Sequence, residues 1–328
     1  MKFESFVGNE KIKTQLGALL EAERFPHAII IEGEEGIGKR TLALEIALSL
    51  ICKSEEERPC RSCSACKKAL KHIHPDIYEY AAPDRARSFS VDIVRDIIED
   101  AYVQPNEADY KIYILSNCQS MGAPAQNAIL KILEEPPSYA VFILCTTNKS
   151  AMLETVLSRS VAISVEGVNC EEGARFICEK LPEIDSNEAI RALSICNGNI
   201  GKALETLDDG KLKKTVEISN ELAVAMIADN EYELIKACAV FEKDNQTLIA
   251  SLTFLKSVLR DAMLFESGVS MLSNQNQCAK LLASRLTKGM LLKMINVCDN
   301  IISLAKGNGN NALLITKLCY DLRRAQKR

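Results

Sequence analysis

Residues 28–41 read Ala-Ile-Ile-Ile-Glu-Gly-Glu-Glu-Gly-Ile-Gly-Lys-Arg-Thr, an apolar run that enters a glycine loop and leaves it through Lys39 into a helical stretch. No other segment limits the fold so strongly. A short unbroken run of branched apolar residues reads as a strand buried on both faces, and such strands belong to parallel sheets covered by helices. Strand, loop and helix in that order are the context in which phosphate-loop spacing carries meaning. Gly33, Gly36 and Gly38 let successive backbone N–H groups curl around an anion. The helix start adds partial positive charge, and Lys39 can reach the terminal phosphates of a nucleotide. One position departs from the pattern. The residue after the lysine should offer a hydroxyl to Mg²⁺, and here it is Arg40. Thr41 stands one place later, about 100° further round the helix. The pattern predicts the shape of the loop and leaves ATP binding open.

The first half repeats the strand–helix alternation. Further apolar runs lie at 111–115, 140–145 and 161–165, with a weaker one at 76–80, and helical stretches at 39–51, 90–101, 121–135 and 150–157. That alternation predicts a three-layer α/β domain with a parallel sheet. After about residue 166 the strand signal stops. Residues 169–207 read as three or four short helices broken at Leu181-Pro182 and Asn197-Gly198-Asn199. From 211 to 328 the pattern is helical, with Leu248, Leu252, Leu255 and Leu259 on one face, and no proline occurs beyond Pro182. The expected domains are 1–166, 167–210 and 211–328. No apolar run approaches the ~20 residues of a membrane span, and the start MKFESFVGNE has no signal-peptide pattern. The expectation is a cytoplasmic protein without a membrane partner. With no Trp and 5% aromatics, a stacking platform for single strands is disfavoured. A net charge of −4 argues against whole-surface binding of nucleic acid and leaves room for a local basic patch.

An ATPase needs a second element, an acidic residue for the metal at the end of a buried strand and a carboxylate to activate water. The run 111–115 ends in Ser116-Asn117, which supplies neither. Four of the 13 cysteines cluster as Cys52, Cys60, Cys63 and Cys66. Two-residue spacings bring sulfurs onto one tetrahedral cation, and the expected cofactor is a structural Zn²⁺, with an iron–sulfur cluster as the rival. His72 and His74 are read as flanking the return to the next strand. The nine other cysteines read as small buried hydrophobes. Residues 302–328 set six cations, Lys306, Lys317, Arg323, Arg324, Lys327 and Arg328, against Asp321. This end is either a solvated helix terminus or a contact for DNA or a partner.

Several runs together point to a family. They are Phe6-Val7-Gly8-Asn9, Phe25-Pro26-His27-Ala28 before the loop, the four-cysteine insert, Ala125-Gln126-Asn127-Ala128-Ile129-Leu130-Lys131-Ile132-Leu133-Glu134-Glu135-Pro136-Pro137, Thr146-Thr147-Asn148, Ser158-Arg159-Ser160, and Gly198-Asn199-Ile200-Gly201-Lys202-Ala203-Leu204. The chain resembles the clamp-loader subunits of bacterial DNA polymerase III, and among them the delta-prime family, within the AAA+ superfamily. The resemblance implies an AAA+ core, a small helical lid and an all-α collar. It implies a ring with delta and tau/gamma subunits that loads a sliding clamp on primed DNA within a DNA polymerase holoenzyme. Arg40 and Ser116-Asn117 place the chain as the non-hydrolysing stator, and the alternative is an active ATPase of the tau/gamma type. An unrelated DNA-binding AAA+ protein is a third, weaker reading. In relatives the arginine matched by Arg159, beside Ser158, reaches the ATP of the adjacent subunit; the third position of that run, usually Cys, is Ser160 here. Thr147 and Asn148 match the first sensor, or cap a strand end. Lys202 matches the second sensor region, or is a solvated helix residue.

Overall fold

The computed structural model describes residues 3–22, 24–54, 57–81, 89–208, 211–228, 230–242, 244–265, 273, 275–307 and 310–326. The chain divides into two compact units, Met1–Gly167 and Val168–Arg328. Among the described residues the first holds five strands, β1 (Ala28–Glu32), β2 (Ile77–Ala81), β3 (Lys111–Ser116), β4 (Ala140–Thr146) and β5 (Val161–Ser164). All pair in parallel, in the order β2-β3-β4-β1-β5. This is the α/β core with a parallel sheet that the strand–helix alternation predicts. The apolar runs at 28–31, 111–115 and 140–145 form the three central strands. Every residue of β3 and β4 is buried, as are the first four of β1. The edge strand β2 is partly exposed, which is why its run is weaker in the sequence, and three of the four residues of β5 are exposed.

Alternation along the strands feeds two cores. Ile29, Ile31, Ile112, Ile114, Val141 and Ile143 face α1 (Glu10–Glu21), α2 (Lys39–Ile51) and α3 (Ser64–Leu70). Ile30, Tyr113, Leu115, Phe142 and Leu144 face α4 (Val91–Ala101), α5 (Ala123–Glu134) and α6 (Glu154–Leu157). Side chains of period two on a sheet buried on both faces dictate this three-layer division. Helix α5 starts later than the periodicity predicts because Gly122 is its N-cap and Pro124 sits in its first turn. The stretch at 150–157 resolves into a 3-10 turn (Lys149–Ala151) and the single-turn α6. Helices α1 and α3 have no counterpart in the sequence reading, and α3 lies within the cysteine insert.

The second unit is helical throughout its described residues: α7 (Cys170–Lys180), α8 (Ser186–Ile195), α9 (Ile200–Asp208), α10 (Lys211–Ile227), α11 (Glu231–Ala239), α12 (Asn245–Leu264), α13 (Asn276–Arg285), α14 (Lys288–Lys306) and α15 (Asn311–Gln326). Asn197 and Gly198, both at positive φ, separate α8 from α9. Side-chain oxygens of Asn169, Asp185, Asn230, Asp244 and Thr287 cap five of these helices. One hydrophobic cluster runs from Ala174 to Ala325, with Leu248, Leu252, Leu255 and Leu259 fully buried in it. The division of this unit near residue 210 falls where 209 and 210 lie outside the described residues.

Candidate functional site

The glycine loop leaves the C-terminal end of β1, at the centre of the sheet. Gly36 and Gly38 have φ of 82° and 101°, backbone that a side chain resists. A Cβ on Gly33 would meet the Val165 carbonyl oxygen at 2.9 Å, so the tight approach to β5 needs glycine there. Gly38 caps α2. The Lys39 Nζ donates to the carbonyls of Gly33 and Glu34, each at 2.7 Å, within its own loop. Arg40, 65% exposed, directs its guanidinium to Glu79 at 3.5 Å. Thr41 is half-buried on the next position of the helix. At the end of β3, Ser116 is buried and Asn117 is exposed at φ 63°.

A carboxylate that the motif does not include, Glu32, stands at the end of β1. It accepts hydrogen bonds from the Lys149 backbone N–H (3.0 Å) and the Ser164 hydroxyl (3.2 Å) and pairs with the Lys149 ammonium (3.4 Å). The Lys149 N–H bond holds its pKa below the usual carboxylate value. Its oxygens thus tie together the segments that follow β4 and end β5. In the segment after β4, Thr147 is exposed and its N–H donates to Gln119 Oε1 (3.1 Å), while the Asn148 side-chain oxygen caps the 3-10 turn by accepting from Ser150 N–H (2.9 Å).

Arg159 lies at the other end of the sheet. Ile29 pairs with Val161 and Glu32 with Ser164. Arg159 precedes that pairing and Gly33 follows it, so at ~3.3 Å per residue the paired segment alone separates them by about 10 Å. The Arg159 guanidinium donates to the Thr155 carbonyl (3.0 Å) and Ser158 Oγ (3.2 Å) and pairs with Glu134 (2.7 Å). It lines a groove of about 540 Å³ with His27, Leu133, Glu134 and Ser158.

The four clustered cysteines converge. Cys52 ends α2, Cys63 caps α3, and the four sulfurs lie within 4.8 Å of one another. Tetrahedral thiolates about 2.3 Å from one Zn²⁺ would stand ~3.8 Å apart, so the cluster can hold a metal ion after a small contraction. The backbone supports that reading: the N–H of Cys60 points to Cys52 Sγ (3.3 Å), that of Cys63 to Cys60 Sγ (3.4 Å) and that of Cys66 to Cys63 Sγ (3.4 Å). Such donors stabilise thiolate ligands. A hydrogen bond from Ser62 and the Cys63 N–H lower the Cys60 thiol to about 6, and burial pushes Cys66 up. Neither histidine joins the sulfurs. His72 pairs with Glu79, and His74 is buried with Nδ1 accepting from Asp76 N–H (3.1 Å). Burial keeps the His74 imidazole below its ordinary pKa. Arg61, between Cys60 and Cys63, pairs with Glu45 of α2, whose carboxylate is 1% exposed and also accepts from Ser5 N–H at 2.9 Å. Arg61 reaches Glu4 as well, at 3.2 Å.

Residues 8–169 match the family described as DNA polymerase III, delta subunit. That span holds the glycine loop, the four cysteines and Arg159. The DNA polymerase III subunit gamma of Buchnera aphidicola is 25% identical over 98% of this chain and 88% of its own length. Subunit tau of Bacillus subtilis is 28% identical over 91% of this chain and 57% of its own. Subunit delta-prime of Haemophilus influenzae is 27% identical over 74% of this chain and 73% of its own. The chain is similar to subunits of DNA polymerase III along most of its length. Two further features lie in the second unit. Lys202 stands in the first turn of α9, where Asn199 Oδ1 accepts its backbone N–H (3.2 Å). In the basic end, Arg323 is not a solvated cation. Its guanidinium donates to the carbonyls of Met226 (3.2 Å), Ala228 (2.8 Å) and Asn230 (2.9 Å), closing the C-terminal end of α10. Lys317 pairs with Asp321 at 2.8 Å, Arg324 is exposed, and Lys327 and Arg328 lie outside the described residues. Among the described residues, no helix is long and apolar enough to cross a membrane.

Proposed function

We propose that this chain is a clamp-loader subunit of DNA polymerase III, the non-hydrolysing, delta-prime-type stator, and that it completes a neighbour's ATP site with Arg159. The observation that carries this reading is the separation of two half-sites. The glycine loop and Arg159 occupy opposite ends of one parallel sheet, so Arg159 has no path to a nucleotide on its own loop. A guanidinium so placed serves a phosphate held by another chain, where it stabilises charge on the transferred group; such residues are worth ~10³–10⁵ in rate. The chain's own loop has no hydroxyl at Arg40 and no carboxylate at Ser116 or Asn117. Its backbone amides can still take an anion, so loss of hydrolysis does not require loss of all nucleotide contact.

The partners in this reading are delta and tau/gamma subunits in a ring, with the sliding clamp and primed DNA met through the complex in the cytoplasm. Residues 167–210 serve as the lid and 211–328 as the collar that joins the ring. Thr147, Asn148 and Lys202 hold the sensor positions without a competent site to sense. Zn²⁺ is the ion for Cys52, Cys60, Cys63 and Cys66, a structural role with no part in phosphate chemistry. A second reading, an active tau/gamma-type ATPase, is favoured by the likeness to a gamma subunit along 98% of the chain. ATP turnover by the purified chain separates the two. The stator reading expects none, and a rate near ~1 s⁻¹, ordinary for phosphoryl transfer, would establish the motor.

A further inference from the structure

We propose that Glu134 is the positioning residue for Arg159, an inference that rests on the trans role of Arg159 given above. Glu134 is the last residue of α5, with Glu135 next to it. A carboxylate at a helix C-terminus faces the negative end of the helix dipole and is unfavourable there by itself. The Arg159 guanidinium, 2.7 Å from Glu134 Oε1, supplies the missing countercharge. The platform is fixed. His27, in the segment that enters β1, places Nε2 3.0 Å from the Leu133 carbonyl. A carbonyl only accepts, so Nε2 carries the proton and ties the end of α5 to the sheet.

Three donors of Arg159 are committed to its own chain, to Thr155, Ser158 and Glu134. Of the five N–H donors of a guanidinium, two remain for a ligand in the groove. An unheld arginine side chain carries about 2 kcal/mol of rotamer entropy, and fixing its plane beforehand lowers what is lost when a phosphate arrives. Arg159 is 35% exposed and Glu134 49%. So exposed a pair contributes little to stability, and its consequence falls on where the guanidinium points.

The test uses the full chain assembled with its clamp-loader partners, sliding clamp and primed DNA. Stimulated ATP turnover is measured for wild type, Glu134→Gln, Glu134→Asp, Arg159→Ala and the double variant Glu134→Gln/Arg159→Ala. Glu134→Gln keeps the shape and removes the charge. It should lower kcat about two- to fivefold, the range open to an exposed pair, with KM for ATP and complex assembly unchanged. Glu134→Asp should recover part of the rate, and the double variant should be no slower than Arg159→Ala. Wild-type turnover in Glu134→Gln while Arg159→Ala is impaired would overturn the positioning role and leave the trans role standing. Losses that add in the double variant would overturn it too. Unchanged turnover in Arg159→Ala would remove both.

Discussion

Helix α2 begins at the glycine loop and ends at Cys52, and its two ends differ in what they kept. At the N-terminal end the backbone is all there: the glycines at positive φ, the close approach of Gly33 to β5, and Lys39 turned into the loop. The side-chain chemistry is not, since Arg40 points away to Glu79 and β3 ends without an acid. At the C-terminal end the side-chain set is complete, with four sulfurs converged and backbone N–H groups aimed at three of them. The difference teaches that a loop's shape is held by many backbone interactions and survives the exchange of any one side chain. Hydrolysis and metal ligation, by contrast, rest on individual side-chain atoms. Glu45, midway along α2, is tied to the cysteine insert through Arg61.

The largest effect should come from the complete end. Cys63→Ser removes one ligand and the sulfur that accepts from Cys66 N–H. Metal analysis should fall from about one ion per chain to none, and the insert should become protease-sensitive; structural Zn²⁺ carries ~10–16 kcal/mol of apparent binding energy in small fingers. Full metal content in a chain lacking two of the four cysteines would remove the site. Next in size is Arg61→Ala, which strands the buried Glu45 carboxylate. Breaking a buried pair costs about 3–5 kcal/mol, and urea unfolding should register a loss of that order. The loss should shrink when Glu45→Gln is added.

A smaller effect is pH-dependent. Burial holds His74 below the ordinary imidazole value of about 6.5. The unfolded chain therefore binds a proton before the folded one does. Its contribution is complete above about 6.5 and is lost as pH falls below that value. The urea midpoint should drop between pH 7.5 and 5.5, and His74→Asn should flatten that drop. Smallest is the outcome for the incomplete end. Arg40→Thr restores the hydroxyl but not the acid missing at Ser116 and Asn117, so it should yield no ATP turnover. It should also cost under about 1 kcal/mol of stability, because the pair with Glu79 is exposed.

What the sequence made legible follows the range of the interactions involved. The central strands, the glycine loop and the cysteine spacing are local patterns, and each stands where its residues predicted. The long-range partnerships were hidden. Lys111 reads as the first residue of an apolar run, yet its ammonium is buried and pairs with Asp100 at 2.9 Å beside the stacked rings of Tyr78 and Tyr113. Arg323 reads as a terminal cation, and its acceptors are 93 to 97 residues away. Glu45 sits on the helix face that packs into the core, where nothing in its own neighbourhood announces Arg61. Helix α3 is short, and its N-cap is Cys63, a residue type that carries no capping signal in the sequence. The candidate site was legible as a set of residues. Its division between opposite ends of the sheet required the strand pairing.

That division is the central claim, and one comparison tests it directly. Complexes assembled with wild-type chain or with Arg159→Ala are given sliding clamp and primed DNA, and ATP turnover is measured beside that of the chain alone. The account predicts no turnover by the chain alone and intact assembly of the variant. It predicts a partial fall in stimulated turnover, partial because other interfaces keep their own arginines. Arg159→Lys should also be slow, since a point charge does not replace a planar fork. Undiminished turnover in an intact Arg159→Ala complex would contradict the account, and so would hydrolysis by the isolated chain.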